Sequence, residues 1–332
     1  MRNIFESFNR MKILVIGDVM IDAYLWGKVD RISPEAPVPI LSFKYQEDRL
    51  GGAANVAVNL QALGATPLLC SVVGNDAYRK ILNDLLQKAN MENKGILFEE
   101  GRITTVKTRF ISNSQQLLRV DHEDPACLNE DAERRFIARI QDLLKNEKID
   151  GIIFEDYDKG AITNAVIEKT IASAREKNIP VFVDPKKKNF KNYRNITLFK
   201  PNFKEFCEGV NIQVAKSDHK GIYWAARFLH TTQKIEHVMV TLSEEGLFLS
   251  EPYKYIALPA KLREITDVSG AGDTVISVST LCYIAGLEMA QAAAIGNIAA
   301  GQVCSKVGVV PVDKNALLEE VLAQKMEPKP RA

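Results

Sequence analysis

Four short runs in this chain are apolar almost from end to end: Lys12–Gly17 (K-I-L-V-I-G), Gly151–Glu155 (G-I-I-F-E), residues 180–184 (P-V-F-V-D) and His237–Thr241 (H-V-M-V-T). Consecutive apolar positions suit a strand buried on both faces, as in a parallel sheet covered by helices above and below. The intervening stretches supply the helices. Residues 53–63, 77–89, 130–144 and 164–177 place apolar side chains three and four apart. Alternating strand and helix signals predict an α/β fold with a doubly wound, mainly parallel sheet. Beyond Gly270 the pattern is helical, near 271–285, 289–304 and 314–322. The Pro-rich, charged end at 323–332 reads as a C-terminal tail that frays from about Met326.

Three segments break that rhythm. Residues 21–26, 38–45 and 104–121 carry β-branched and aromatic residues at near-alternating positions. The last reads as a hairpin: T-V-K-T-R-F-I, an S-N-S link centred on Asn113, then Q-Q-L-L-R-V-D. Strands inserted between early βα units predict a small sheet projecting from the main layer, as a lid over a ligand or a dimer surface. A plain edge extension would look the same.

Composition narrows the classes of function. With 332 residues, 46% hydrophobic and 26% charged, the chain can bury a large core. A net charge of +1 gives no bulk reason to expect nucleic acid or an anionic membrane as partner. Residues 1–10 do not resemble a signal peptide, and no run approaches the ~18 apolar residues of a membrane helix. Five scattered cysteines (Cys70, Cys127, Cys207, Cys282, Cys304) read as reduced, mostly buried thiols of a cytoplasmic protein, and no His/Cys cluster suggests zinc.

The chemistry concentrates in D-V-S-G-A-G-D-T at 267–274. A glycine turn opening a helix leaves backbone N–H groups unpaired at the positive end of the dipole, a site for an anion such as a transferring phosphoryl group. Asp273, in the first helical turn, would stand beside it and accept the proton of an attacking hydroxyl. A simple turn with an acidic helix start shows the same residues. Companions favour chemistry. Gly51 and Gly52 in G-G-A-A-N allow close approach of a ligand, and Asn55 can bond hydroxyls. G-D-V-M-I-D puts Asp18 and Asp22 beyond the first strand's carboxyl end, where open α/β sheets bind ligands and carboxylates suit sugar hydroxyls. In K-P-N-F-K-E, Asn202 can reach phosphate oxygens and Glu205 can hold magnesium through waters, although an Asn cap with Glu three residues on is also a capping box. The dinucleotide fingerprint is excluded by Asp18 and Met20 in the first turn, and G-x-x-x-x-G-K-[ST] is missing.

These motifs, in this order, resemble those of the ribokinase-like (PfkB) carbohydrate kinases, over about residues 11–322. The resemblance implies a three-layer α/β/α domain with a small β-sheet lid (strands within about 21–45 and 104–121), acting on a sugar with ATP and Mg2+. It makes Gly270, Ala271 and Gly272 the anion hole, Asp273 the base, and Asn202 and Glu205 the phosphate and magnesium element. Thr241, Ser243 and Gly246 of T-L-S-E-E-G would flank the nucleotide, and Asn297 would lie near adenine. Within that family G-D-V-M-I-D, R-I-S-P-E-A-P-V-P-I, R-L-G-G-A-A-N-V-A, Q-Q-L-L-R-V-D, D-Y-D-K-G and V-D-P-K are similar to the D-glycero-β-D-manno-heptose 7-phosphate kinases of lipopolysaccharide-core synthesis. These phosphorylate the anomeric O1, acidic enough for a carboxylate base.

A 7-phosphate calls for basic side chains: Arg49, Lys107, Arg109, Arg119, Lys159 and above all Lys186, each otherwise a solvated surface charge. The hairpin turn departs from that group, with S-N-S where a basic residue usually precedes Q-Q. Some members carry a C-terminal nucleotidyltransferase, and the resemblance implies a separate protein for that step here. Apolar lid residues Trp26, Val38 and Ile40 suggest a homodimer through the lid. Two rival readings are a kinase of another sugar or sugar phosphate, and a silent sugar-binding protein on this fold.

Overall fold

The computed structural model describes residues 1–113, 115–260 and 266–331. In chain order the strands are β1 (Lys12–Gly17), β2 (Val19–Ile32), β3 (Pro39–Gly52), β4 (Thr66–Gly74), β5 (Gly95–Glu99), β6 (Thr105–Ser112), β7 (Gln115–His122), β8 (Gly151–Glu155), β9 (Val181–Asp184), β10 (Leu198–Phe199), β11 (His237–Thr241), β12 (Leu247–Glu251) and β13 (Lys254–Leu258). The helices are α1 (Arg2–Ser7), α2 (Ala53–Ala62), α3 (Tyr78–Lys88), α4 (Glu130–Asn146), α5 (Asn164–Glu176), α6 (Phe203–Val210), α7 (His219–Thr232), α8 (Ala271–Ile284), α9 (Met289–Cys304) and α10 (Lys314–Ala323).

Nine strands form the main sheet in the order β13-β12-β11-β10-β9-β8-β1-β4-β5, parallel except for the β11–β12–β13 edge. Successive side chains of β1 go to opposite faces, Ile13 and Val15 to one core, Leu14 and Ile16 to the other. Helices α2, α8, α9 and α10 cover the first face, and α4, α5, α6 and α7 the second. This three-layer arrangement is the one expected, and each fully buried Leu, Ile, Val or Phe contributes about 1.5–3 kcal/mol. Before β1, Phe5 and Phe8 are buried in the first core. The segment after α10 does not fray among its described residues. Lys329 N–H donates to Gln291 Oε1 (2.7 Å) and Arg331 N–H to the Gly286 carbonyl (2.7 Å). The cysteines are free, but only Cys70 and Cys282 are buried; Cys127 is exposed and the other two half-buried.

The second sheet has four strands, β3-β2-β6-β7. Its strands β2 and β3 run to 14 residues each, well past the expected 21–26 and 38–45. Past those bounds lie Lys28, Asp30 and Arg31 on β2, exposed and polar, and four polar residues in a row, Gln46, Glu47, Asp48 and Arg49, on β3, so the alternation that betrays a strand is lost there. The hairpin of β6 and β7 forms as expected, with Asn113 at φ 51°; Ser114 of the S-N-S link lies outside the described residues.

Candidate active site

The parallel strands bring their carboxyl ends to one edge of the main sheet, and α8 begins against that edge. Gly270 caps α8 in the left-handed region (φ 78°), where a β-carbon would also stand 2.9 Å from Asn55 Nδ2. The first-turn amides of Gly272 and Asp273 have no acceptor within their own helix. Asp273 is only 5% exposed. Asn55 Nδ2 donates to its Oδ2 (2.6 Å), and the Tyr157 hydroxyl to its Oδ1 (3.2 Å). Burial pushes the Asp273 pKa up from the ordinary carboxylate value, with Asn55 acting in the opposite sense. The carboxylate is thus held by two neutral donors, with the Lys200 charge also favouring its ionised form, an arrangement that leaves it able to take a proton.

Asp18 and Asp22, paired by the sequence, do different things. Asp18 is the single residue between β1 and β2. Its carboxylate accepts the amides of Tyr157 (2.9 Å), Lys159 (3.1 Å) and Ala161 (3.0 Å). It therefore anchors the loop after β8, and the expectation that it faces sugar hydroxyls is corrected: its oxygens are taken by backbone. Asp22 points to the lid face and is paired with Arg109, whose guanidinium lies over the Tyr24 ring (5.3 Å). Burial alone would lower the pKa of Arg109, but Asp22 more than compensates. Gly51 makes room for this pair, since a β-carbon there would fall 2.3 Å from Asp22 Oδ2. Gly52 sits at φ 58°, its would-be β-carbon 2.3 Å from the Asp18 carbonyl.

Asn202 and Glu205 form a complete capping box on α6: Glu205 N–H donates to Asn202 Oδ1 (2.9 Å) and Asn202 N–H to Glu205 Oε2 (2.8 Å). The other Glu205 oxygen pairs with Lys186, whose ammonium lies over the Tyr157 ring (5.2 Å). Burial would lower the Lys186 pKa, but Asp184 and Glu205 raise it overall. Thr241 ends β11 and bridges to Asn202; Ser243 (φ 57°) and Gly246 (φ 94°) form the turn into β12. Asn297, on α9, donates to the Pro259 carbonyl (2.9 Å), just before a stretch outside the described residues.

The six candidate basic residues all have acidic partners: Arg49 with Glu47, Lys107 and Arg119 with Asp121, Arg109 with Asp22, Lys159 with Glu123, Lys186 with Glu205. Lys107 is the least well neutralised. Asp121 is 3.7 Å away, and burial depresses the Lys107 pKa. Strand pairing puts Asp22 opposite Lys107 and Tyr24 opposite Arg109, so one lid face carries the charged groups.

Four residues of the site escaped the sequence reading: Glu155, Asp184, Lys200 and Tyr157. Glu155 and Asp184 are the last residues of β8 and β9, and Lys200 directly follows β10. A charged residue closing a wholly apolar strand is the signal that would have found them, because ligands of open α/β sheets bind at those ends. Lys200 Nζ lies 2.6 Å from Asp184 Oδ2, both buried. One oxygen each from Glu155, Asp184 and Asp273 come within 4.8 Å of one another. Burial, then the Asp184 and Asp273 charges, push the Glu155 pKa well up.

Comparison with known proteins gives the family of the chain. The profile of the pfkB family carbohydrate kinases matches residues 10–315. The bifunctional protein HldE of Methylobacillus flagellatus is 39% identical over 312 residues, 94% of this chain and 63% of its own length. That of Citrifermentans bemidjiense is 39% identical over 319 residues, 96% of this chain and 64% of its own. The chain thus spans less than two thirds of these relatives. Among solved structures, phosphofructokinase-2 from Escherichia coli in complex with potassium superposes at a TM-score of 0.77 and 20% identity, over 95% of this chain and 99% of that one. Ribokinase of Arabidopsis thaliana complexed with ribose and ATP gives 0.69 and 15%, over 93% and 97%. A family profile that runs through nearly every element, on a fold shared with ribokinase and phosphofructokinase-2, establishes descent: the chain belongs to the pfkB family of carbohydrate kinases.

Proposed function

We propose that this carbohydrate kinase transfers the γ-phosphoryl group of ATP to O1 of D-glycero-β-D-manno-heptose 7-phosphate, giving the 1,7-bisphosphate for ADP-heptose and lipopolysaccharide-core synthesis. The observation that carries it is the buried Asp273, held by Asn55 and Tyr157 at the start of α8. The heptose assignment draws on the lid and loop stretches that resemble heptose 7-phosphate kinases and on the HldE relatives.

In this reading Asp273 takes the O1 proton as the O1–phosphorus bond forms and the bond to the leaving ADP breaks. The amides at Gly270, Ala271 and Gly272 receive the negative oxygens of the group in transfer. Asp22 and Asn55 hold sugar hydroxyls, with Gly51 and Gly52 allowing the close approach. Asp18 serves indirectly, by fixing the loop that carries Tyr157. Arg109, Lys107 and Lys186 meet the distal phosphate. Thr241, Ser243, Gly246 and Asn297 border the nucleotide. Asn202 and Glu205 would hold magnesium through waters, and the ion, when bound, offsets charge on the nucleotide phosphates.

The other lid face supports a homodimer. Phe43 is 61% exposed and Leu118 56%, with Val120 and, just before β3, Val38 also exposed. A second copy of this sheet would cover such a surface. Among the described residues no helix is long and apolar enough to cross a membrane. With a nucleotide and a sugar phosphate as substrates, the reaction belongs in the cytoplasm, followed by a nucleotidyltransferase acting on the 1-phosphate. ADP release tested with heptose 7-phosphate, fructose 6-phosphate, ribose and mannose checks the reading. Turnover confined to heptose 7-phosphate is expected; turnover of fructose 6-phosphate alone would replace the substrate, and none with any sugar would favour a silent binder.

A further inference from the structure

A groove of about 400 Å³ runs between α5 and the segment that joins β9 to β10, on the second face of the main sheet, and the reaction described above makes no use of it. That volume falls in the range of small-molecule sites. Its floor is apolar, formed by the buried Ile167 and Ile171. Its rim is cationic, with Arg175, Lys191 and Arg194. Among the described residues none of these three forms an ion pair, and Arg194 Nη1 is steadied by the Thr232 carbonyl (3.1 Å). The one acid of the lining, Glu168, accepts from Asn164 Nδ2 (2.9 Å). Three cations against one carboxylate leave a surplus of two positive charges. A phosphate monoester, with a charge of about −1.5 to −2 at neutral pH, matches that surplus.

Both walls of the groove are tied to the loop that carries Tyr157. Helix α5 follows that loop directly. On the other wall, Asn192 Nδ2 donates to Asn189 Oδ1 (3.2 Å), and Asn189 Nδ2 donates to Asp156 Oδ2 (2.9 Å) and to the Ile162 carbonyl (3.0 Å). The Tyr193 hydroxyl donates to the same Asp156 oxygen (2.9 Å). Asn189, Tyr193 and Asp156 are all buried. Asp156 directly precedes Tyr157, whose hydroxyl reaches Asp273. We propose that this groove binds a phosphate-bearing small molecule, with the phosphate on Arg175, Lys191 and Arg194 and the apolar body over Ile167 and Ile171. Its occupancy alters turnover through Asn192, Asn189 and Asp156, a coupling between two distinct sites. A nucleotide and a sugar phosphate share this chemistry.

The test is calorimetric titration of the full chain, at low ionic strength, with AMP and with glucose 6-phosphate. Wild type is compared with the double variant Arg175→Glu/Lys191→Glu. Both side chains are exposed, so circular dichroism should show the variant folded. At least one probe should bind the wild type, and the variant should weaken it roughly tenfold or more, as for lost charge-assisted hydrogen bonds. AMP alone would identify the ligand as a nucleotide, glucose 6-phosphate alone as a sugar phosphate. At saturating ATP and sugar the bound probe should change the kinase rate of the wild type; the variant should keep the basal rate and lose the response. The titration needs no particular acceptor sugar, so failure of the heptose assignment leaves it standing. Binding of neither probe, equal binding by the folded variant, or a rate response that the variant retains would overturn the proposal.

Discussion

Asp273 carries two demands that pull against each other. As the proposed base it must be ionised to accept a proton, yet burial favours its neutral form, an effect that the hydrogen bonds from Asn55 and Tyr157 and the Lys200 charge offset. A base with a raised pKa loses activity sooner on acidification. The acid limb of kcat/KM should therefore lie above the ordinary aspartate value of 3.8. Tyr157→Phe removes a donor to the ionised form and should move that limb higher still. A limb at or below 3.8, or one that Tyr157→Phe shifts downward, would contradict this. Asp273→Asn should cut kcat by about two orders of magnitude or more. The amide can still accept from Asn55 through its oxygen and donate to Tyr157 through its nitrogen, so the fold survives. Because a raised folded pKa means that stability falls as pH rises through it, the uncharged variant should melt no lower than the wild type at neutral pH.

At the scale of elements, the glycine turn into α8, the G-G-A-A-N start of α2 and the β6–β7 hairpin were legible, because each depends on local chemistry. The inner strands were legible for the same reason: apolar runs such as K-I-L-V-I-G have few other fates. Asp18 was misread since G-D-V-M-I-D does not disclose that the loop after β8 folds back to offer it three amides. Glu155, Asp184 and Lys200 come from three separate strands, and only the strand order β10-β9-β8 brings them together. The capping box of α6 was visible in sequence and is present. Asn202→Ala should cost about 1 kcal/mol, seen as a lower denaturant midpoint at unchanged slope; an unchanged midpoint would mean that the cap is dispensable. On the lid, Lys107 is half-buried with its acidic partner 3.7 Å away. Lys107→Ala should raise KM for the phosphorylated sugar roughly tenfold with kcat little changed, the pattern of lost uniform binding. A fall in kcat with KM intact would assign this lysine another role.

The whole molecule is a core of helices on both sides of a largely parallel sheet, with a second sheet standing off its catalytic edge. That second sheet is charged toward the site and apolar on its other face, the reverse of what an isolated lid in water would favour. Leu118 and Phe43 are exposed in the single chain, so Leu118→Glu should leave the fold intact while reducing the mass seen by light scattering from that of two chains to that of one. A wild type that is monomeric at micromolar concentration would refute the lid dimer. The central claim concerns the reaction itself, and phosphorus NMR of the product addresses it most directly. With ATP, magnesium and D-glycero-D-manno-heptose 7-phosphate, new phosphate should appear on the anomeric O1 beside the retained 7-phosphate, and fructose 6-phosphate should stay unchanged. Phosphate transferred to fructose 6-phosphate while the heptose is left untouched would contradict the account.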